Sequence, residues 1–305
     1  MSEAGSRAAA VPAATPLAFV LIWSTGFIVA RYGMPHAGPF SFLALRFVLS
    51  VLAFVLWIAA ARALASSDAQ ARAAWPQGRS QWVHLVITGL LMHAGYLGGV
   101  WAAVKHGLGA GPVALVVGLQ PVLTALWISA SGSSRVTQRQ WGGLALGLGG
   151  LVLVVWQKLQ QGQIGAGNLA LAVFALACIT AGTLYQKRWV KPCDVRTAST
   201  VQLLASFAVT LPLALREPQH FELHPEFIGA MAWSVLGLTL GGSSLLYMLI
   251  QRGAATTVTS LMYLVPPCTA LMAWWLFDET FSALGFAGLL LTVAGVALVM
   301  RERAA

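Results

Sequence analysis

Long apolar runs that carry almost no charge are the feature that most constrains the fold of this chain. The run from Gly107 to Ser134, for example, contains no charged residue. Of all 305 residues, 58% are hydrophobic and 9% are charged, whereas soluble domains carry about 25% charged residues. A water-soluble core could not enclose so much apolar sequence, so the composition indicates an integral protein of the lipid bilayer.

A helix that spans a bilayer needs about 20 mostly apolar residues, and a window of that length finds ten of them. The connections are short and hold the Gly, Pro, Ser and charged residues that turns favour. We expect residues 1–14 to form a disordered cytoplasmic tail. The ten predicted helices are Thr15–Arg31, Pro39–Ala61, Gln81–Lys105, Ala110–Ala130, Arg139–Gln157, Gly167–Lys187, Arg196–Leu215, Phe227–Gln251, Ala254–Phe277 and Ser282–Met300.

Lysine and arginine in the loops set the expected orientation, because cytoplasmic loops carry an excess of both. With both termini in the cytoplasm, thirteen of the 18 Lys and Arg residues lie inside and four lie outside, while Arg46 falls within a span. We therefore predict a multi-pass protein of the plasma (inner) membrane with both termini cytoplasmic. The net charge of +9 is explained by these loops, and we expect no nucleic-acid partner.

The second half of the sequence repeats the first. Each copy holds five spans, and because five is odd, the copies must be inverted relative to each other. The predicted fold is an all-α membrane protein of ten transmembrane helices, arranged as two inverted five-helix repeats over 15–157 and 167–301. Such repeats are typical of transporters. The matched pairs include Pro121 with Pro266, Gly143 with Gly288, Gly150 with Gly295 (all at a shift of 145 residues) and Arg46 with Gln202 at a shift of 156.

Three stretches carry a recognisable pattern: IWSTGFIVARYGMP over 22–35, PFSFLALRF over 39–47 and FDETFSALGFAGLLLTVAGVALV over 277–299. Together with ten helices and a duplication, they resemble the ten-helix EamA-type members of the drug/metabolite transporter superfamily. The resemblance covers about Pro16 to Arg301. It implies export or exchange of small metabolites, often amino acids, by alternating access, without identifying the substrate. One departure is Ser134, which stands where the second repeat has Glu279.

Three of the polar side chains inside predicted spans are site candidates, because such groups usually face the interior of the bundle. His93 on helix 3 and Gln120 on helix 4 are candidate substrate contacts, and an interhelical hydrogen bond is the alternative for each. Arg46 on helix 2 is the third candidate. Its alternatives are snorkelling towards the headgroups and a structural bond to backbone carbonyls.

Aromatic side chains on helices 1, 3, 8 and 9 would suit a cavity for an amphipathic ligand. For each of them, packing in the core or against lipid is an equal alternative. The aromatic candidates are Trp23, Tyr96, Trp101, Tyr247 and Tyr263.

Helices 4 and 9 carry prolines at matching depth, Pro121 in the first and Pro266 with Pro267 in the second. A proline removes one backbone hydrogen bond and frees a carbonyl near the preceding turn. We therefore expect paired hinges or ligand-facing carbonyls. Val265 stands opposite Gln120 in the repeat, so the glutamine is the group that would make its own copy selective.

No Asp or Glu lies well within a predicted span, and Asp278 and Glu279 follow helix 9, where we expect a solvated turn. A transporter of organic cations usually needs a buried carboxylate. The sequence therefore favours a small zwitterionic or neutral metabolite, and amino-acid-like export is the main prediction. Export or exchange of a nucleoside, a sugar or an anionic compound is the alternative.

A membrane-embedded enzyme is the rival class, but the spans hold no Asp pair, H-E-x-x-H or G-x-S-x-G. The loop His220–Phe227 alternates His and Glu, yet Pro225 and its exposed setting argue for a solvated loop without metal. We expect a small-molecule substrate, a lipid bilayer around the protein, and neither cofactor nor metal. Monomer and dimer both stay open.

Overall fold

The computed structural model describes residues 14–64, 74–130, 137–160, 164–218, 222–242, 245, 264–280 and 282–301. Over these residues the chain forms helices and short connections, with no strand, so the predicted all-α fold is confirmed. The predicted tail lies outside the described residues except for Ala14, which begins the first helix. The predicted end of helix 8 at Gln251 and start of helix 9 at Ala254 also lie outside them.

Within the described residues, ten helical spans follow one another in the predicted order. Two of them consist of consecutive segments of different helical type, and one is interrupted by a turn. The spans are α1 (Ala14–Gly33), α2 (Pro39–Leu64), α3 (Arg79–Gly89, Leu90–Gly95 and Tyr96–Lys105), α4 (Ala110–Val117 and Gln120–Ala130), α5 (Gln138–Gln160), α6 (Ala166–Trp189), α7 (Val195–Ala214), α8 (Pro225–Ala232 and Trp233–Gly242), α9 (Val265–Phe277) and α10 (Ala283–Arg301).

The outer surface of the bundle is apolar. By length and composition, α2, α3, α6 and α7 are long and apolar enough to cross a membrane, and shorter apolar stretches occur in α1, α4, α5, α9 and α10. Large side chains on these helices point outwards: Leu56 is 69% exposed and Trp275 is 77% exposed. Contiguous apolar surface of this kind is unfavourable in water and is expected against lipid tails.

Aromatic rings fill the core between α1, α2, α3 and α8. Trp101 is only 1% exposed and stacks on Phe42 with 4.3 Å between the ring centroids. Phe227 meets the ring of Phe42 edge-on, with 5.4 Å between the ring centroids. Gly33 completes the contact, because a Cβ there would lie 2.9 Å from the ring of Phe42. These rings hold α1, α2, α3 and α8 together near one end of the bundle.

Carboxylates cap two helices at that end of the bundle. The same end carries the loops after α1, α3, α5, α7 and α9, and we call it the capped face. Glu217 accepts hydrogen bonds from the backbone N–H groups of Phe40 and Ser41, at 3.0 and 2.8 Å, in the first turn of α2. Glu279 accepts from the first two residues of α4 at 2.9 and 3.2 Å. Negative charge is favourable at these helix N-termini. The expected turn is solvated at Asp278, which is exposed, whereas Glu279 is half-buried and caps α4.

A reciprocal glycine contact joins the two repeats where α5 packs on α10. A Cβ added to Gly288 would lie 2.6 Å from the carbonyl oxygen of Gly150, and one added to Gly295 would collide with the carbonyl of Gly143. Gly143 and Gly288 are repeat mates, and so are Gly150 and Gly295. The contact between Gly150 and Gly288 is therefore repeated between their repeat mates, Gly295 and Gly143. A two-fold axis between inverted copies requires this pattern.

Helices α4 and α9 touch where the second segment of α4 and the described part of α9 begin. In the first copy, α4 turns at Gly118 and resumes at Gln120. In the second copy, α9 begins at Val265, which is the repeat mate of Gln120. The two sites are in direct contact, because a Cβ on Gly118 would lie 2.7 Å from Cγ of Pro266.

The glycine contact between α5 and α10 predicts a position-specific effect of one added methyl group. We expect Gly150→Ala to lower the melting temperature of the purified protein in detergent, since its Cβ would meet Thr292 Oγ1 at 2.5 Å. Overpacking of this kind costs about 1–3 kcal/mol. The control is Gly149→Ala, where no atom lies within 4 Å of the new Cβ and alanine is the better helix former. Equal melting temperatures for the two variants would refute the contact.

Candidate functional site

Helices α3 and α8 both change from α-helical to π-helical hydrogen bonding near their middle. The π-helical segments are Leu90–Gly95 in α3 and Trp233–Gly242 in α8. Shifted by 145 residues, the first segment falls on 235–240, inside the second. A π-helical turn is rare and often marks a functional site, and here it occurs at the same place in both copies.

Each π-helical segment holds a polar side chain that forms a hydrogen bond to another helix. The partner helix is α7 for the segment in α3 and α2 for the segment in α8. His93 of α3 lies with Nε2 3.3 Å from Oε1 of Gln202 on α7. Arg46 of α2 donates from its guanidinium to the hydroxyl of Thr239 on α8, also at 3.3 Å. Arg46 and Gln202 are repeat mates, and Thr239 falls opposite Ala94, next to His93. The two hydrogen bonds are therefore approximate copies of each other.

A single positive charge dominates this group, which we call the polar core: Arg46, His93, Tyr96, Gln202 and Thr239. Arg46 is buried and lies close enough to His93 and Tyr96 for its charge to act on both. His93 and Tyr96 are half-buried, so each keeps part of its surface accessible. Phe47 stands beside His93, with 6.3 Å between the ring centroids.

The structure contradicts one alternative that the sequence offered for Arg46, because the buried side chain does not snorkel to the headgroups. Its described hydrogen-bond partner is a hydroxyl. The guanidinium stays inside the bundle and donates to the Thr239 hydroxyl. Thr239 in turn donates to the carbonyl of Ser234 within α8, so a buried chain of hydrogen bonds holds the cation in place.

Gln120 lies where α4 of the first repeat meets α6 of the second repeat. It is half-buried, and its side-chain amide donates to the hydroxyl of Thr183 at 3.0 Å. This is the interhelical hydrogen bond that the sequence left open as the alternative to a ligand contact, and the same is true of the bond between His93 and Gln202. In both residues the amide or imidazole has further hydrogen-bonding capacity.

The described aromatic candidates differ in their settings. Trp23 is half-buried and lies beside Phe19 and Gly242, with ring centroids 5.3 Å apart for the aromatic pair. Trp101 is packed into the aromatic core against Phe42, so we leave it out of the site. Tyr247 and Tyr263 lie outside the described residues.

A cavity of about 750 Å³ opens at the capped face. It lies between the ends of α1, α3, α6 and α9, and it is not lined by the residues predicted as substrate contacts. Leu171 marks its extent along α6, three turns before Thr183. The cavity holds charges of both signs, and its polar lining residues are Arg31, His106, Asn168, Asp278, Glu279 and Thr280.

Sequence reasoning missed the hydroxyl partners Thr183 and Thr239. Threonine is common in apolar helices, where its hydroxyl usually bonds to the carbonyl of its own preceding turn, so neither stands out. The repeat carried a usable signal for Thr239, because it falls one position from the mate of His93. Nothing comparable marks Thr183.

The sequence model of the EamA-like transporter family matches this chain twice, over residues 13–156 and 167–301. The chain belongs to the EamA-like transporter family. It is therefore a multi-pass membrane transporter of small molecules and not an enzyme. The two matches cover both copies of the five-helix repeat.

Similar proteins span nearly the whole chain. An uncharacterised transporter of Archaeoglobus fulgidus is 23% identical over 93% of this chain and 95% of its own length. A "probable amino-acid metabolite efflux pump" of Salmonella typhimurium is 22% identical over 92% and 91%. The uncharacterised inner membrane transporter YedA of Escherichia coli is 24% identical over 92% and 88%.

A crystal structure of a similar protein superposes on this EamA-family chain with a TM-score of 0.62. The two are 20% identical, and the superposition covers 96% of this chain and 98% of the other. At that identity the likeness concerns the fold.

The polar core predicts an unequal cost for two threonine substitutions. Thr239→Val removes the acceptor of a buried guanidinium, and a buried polar group left without its partner costs about 1–3 kcal/mol. Thr180→Val is the control, because its hydroxyl donates to the carbonyl of Leu176 in its own helix. We expect the first variant to melt at a clearly lower temperature in detergent. If the two melt alike, Thr239 does not support Arg46.

Proposed function

We propose that this EamA-family transporter exports a small zwitterionic or neutral metabolite, with an amino acid as the main candidate. The supporting observation is the buried guanidinium of Arg46, which donates to Thr239. No Asp or Glu of the sequence lies well within a span. A cation held inside a membrane protein usually has a counter-charge, and the carboxylate of a passing substrate is a suitable one.

The neighbouring groups suit the rest of such a ligand. His93 and Gln120 can donate or accept hydrogen bonds, and the half-buried rings of Trp23 and Tyr96 provide apolar contact. An organic cation would meet repulsion from Arg46 with no carboxylate to offset it. The same reasoning leaves nucleosides, sugars and anionic compounds as the alternative substrates.

The cavity at the capped face fits one end of the transport route. Arg31 and Asp278 line it with opposite charges, so both ends of a zwitterion find a partner there. A polar, water-accessible mouth followed by a more apolar interior would let the ligand shed water in steps. We propose that this cavity is where the ligand leaves or enters on that side.

Alternating access requires the two repeats, which we take as residues 15–157 and 167–301, to move relative to each other. We propose that Pro121, Pro266 and Pro267 act as hinges. They stand in the first turn of the helical segments that begin at Gln120 and Val265. Helices that begin inside the bundle leave backbone groups unsatisfied, and changes of angle are least costly at such points.

The relatives agree with this proposal without deciding the substrate. The Salmonella typhimurium relative is named a probable amino-acid metabolite efflux pump, and at 22% identity the name supports only the class of ligand. The Escherichia coli relative is named an inner membrane transporter, which agrees with the predicted location.

Flux into proteoliposomes tests the substrate class. Labelled amino acids, sugars, nucleosides and an organic cation are offered to the reconstituted protein, each with and without a pH gradient. We expect amino acids to move fastest, because the carboxylate pairs with Arg46. Preferential movement of the organic cation would overturn the charge argument. Movement of none of the four by folded protein would overturn the metabolite proposal.

The same assay tests the two polar contacts. His93→Ala and Gln120→Ala should slow amino-acid flux at least tenfold while leaving protein yield and gel-filtration profile close to those of the parent. Gln138→Ala is the matched control, because Gln138 is exposed at the start of α5. Flux that is unchanged in both site variants would show that the ligand binds elsewhere.

We also propose that the capped face is periplasmic and that both termini are cytoplasmic, as the thirteen-to-four distribution of Lys and Arg favours. Introduced cysteines test this in intact cells with a membrane-impermeant maleimide, against the background of the unmodified chain. Leu223→Cys, at an exposed position of the capped face, should be labelled directly. Gln77→Cys, exposed at the opposite end, should be labelled only after permeabilisation. The reverse pattern would invert the topology.

A further inference from the structure

Four ionisable side chains meet on the capped face, where the α1–α2 loop touches the segment that leads into α8. His36 lies with Nδ1 3.1 Å from Glu222 Oε2 and with Nε2 3.1 Å from Glu226 Oε2. The imidazole of His224 stacks on that of His36, with 4.4 Å between centroids and 13° between planes. The backbone N–H of Glu222 also donates to the carbonyl of His36 at 3.2 Å, so the two segments are held together.

We propose that His36, His224 and Glu226 form a binding site for a divalent transition-metal ion, for which Zn²⁺ is the best match. The sequence of the His220–Phe227 loop by itself predicts no metal site. His36 comes from the other repeat, 186 residues before Glu222, and it supplies the ligand that the loop lacks.

The spacing of the donor atoms fits a small tetrahedral ion. One ligand atom from each of His36, His224 and Glu226 can be chosen so that all three lie within 4.8 Å of one another. With bonds of about 2.0–2.2 Å, tetrahedral Zn²⁺ places its ligand atoms about 3.4 Å apart. His36 Nε2 and Glu226 Oε2 are already near that spacing, and His224 Nδ1 lies 3.9 Å from the same oxygen.

Glu222 supplies an outer contact of the kind that zinc sites use. A histidine that binds a metal through one ring nitrogen usually donates from the other to a carboxylate, which fixes the tautomer and the ring orientation. Glu222 is placed to accept Nδ1–H of His36, and Nε2, which faces Glu226 at 3.1 Å, would bind the ion after releasing its proton. The ring nitrogen therefore becomes a ligand without a change of partner on its other side.

The remaining ligand can adjust. His224 is exposed, so its ring is free to tilt out of the stack and direct a lone pair at the ion. Its Nδ1 accepts the N–H of Glu226 at 3.3 Å, and coordination through that nitrogen replaces this hydrogen bond. Two imidazoles with one carboxylate favour Zn²⁺ over Ca²⁺ or Mg²⁺, which prefer sets of oxygen ligands. A fourth position is left for water.

The site would join the two repeats at their surface. His36 belongs to the first repeat, and His224 and Glu226 belong to the second, so a bound ion would link the α1–α2 loop to the start of α8. A ligand that binds the folded state alone also raises thermal stability. The linkage itself is measured without any transport assay, so it stands or fails independently of the proposed substrate.

Zinc binding to the tag-free, full-length protein in detergent tests the site. Zn²⁺ is titrated in competition with a chromophoric chelator, and melting temperature is measured at saturation. We expect one Zn²⁺ per chain and a higher melting temperature. His36→Ala and Glu226→Gln should each weaken binding at least tenfold and remove the thermal shift. Glu222→Gln should weaken binding about tenfold with the stoichiometry unchanged.

His106→Ala is the matched control, because His106 is exposed on the same face but outside the group; its affinity for Zn²⁺ should equal that of the parent. The proposal is overturned if the folded parent has no saturable Zn²⁺ site, if His36→Ala binds as tightly as the parent, or if Ca²⁺ competes effectively. Gel filtration of each variant shows that it is folded, and His224→Ala provides a second ligand variant should Glu226→Gln aggregate.

Discussion

In the interior of a bilayer there is no water to bond with the backbone, so every N–H and C=O must find a partner within the protein. Regular α-helix is the simplest solution, and most of this chain adopts it. Within the described residues, the departures are the π-helical segments of α3 and α8 and the turn in α4 at Gly118. Helix α9 starts at Val265, the repeat mate of Gln120.

Those departures bring polar chemistry to the inside. The π-helical segments carry His93 and Thr239, and the restart of α4 carries Gln120. In the second copy the corresponding position is Val265, whose carbonyl oxygen lies 3.5 Å from the hydroxyl of Ser24 on α1. The carbonyl of Gln120 likewise accepts from the hydroxyl of Thr124, so the two copies differ here in the side chain, which is an amide in one and apolar in the other.

Charge is distributed just as unevenly. The described carboxylates stand at the ends of helices, where Glu217 and Glu279 accept hydrogen bonds from the first N–H groups of α2 and α4. Arg46 remains inside with a hydroxyl for a partner. The described negative charge thus lies at helix ends and a positive charge lies inside, and this distribution is the physical basis for the proposed choice of substrate.

The sequence by itself determined the ten spans, the duplication and the family. The length of an apolar segment decides whether it can cross a bilayer. Matched Pro and Gly positions reveal the duplication, because matches of Leu and Ala are expected between any two apolar helices. Only the tertiary structure decided which polar groups meet. His93 pairs with Gln202 across 109 residues, and Arg46 pairs with Thr239 across 193. Hydropathy has one value per residue and does not state which side of a helix faces which neighbour, so Trp101 could be core or cavity until its stacking on Phe42 was seen.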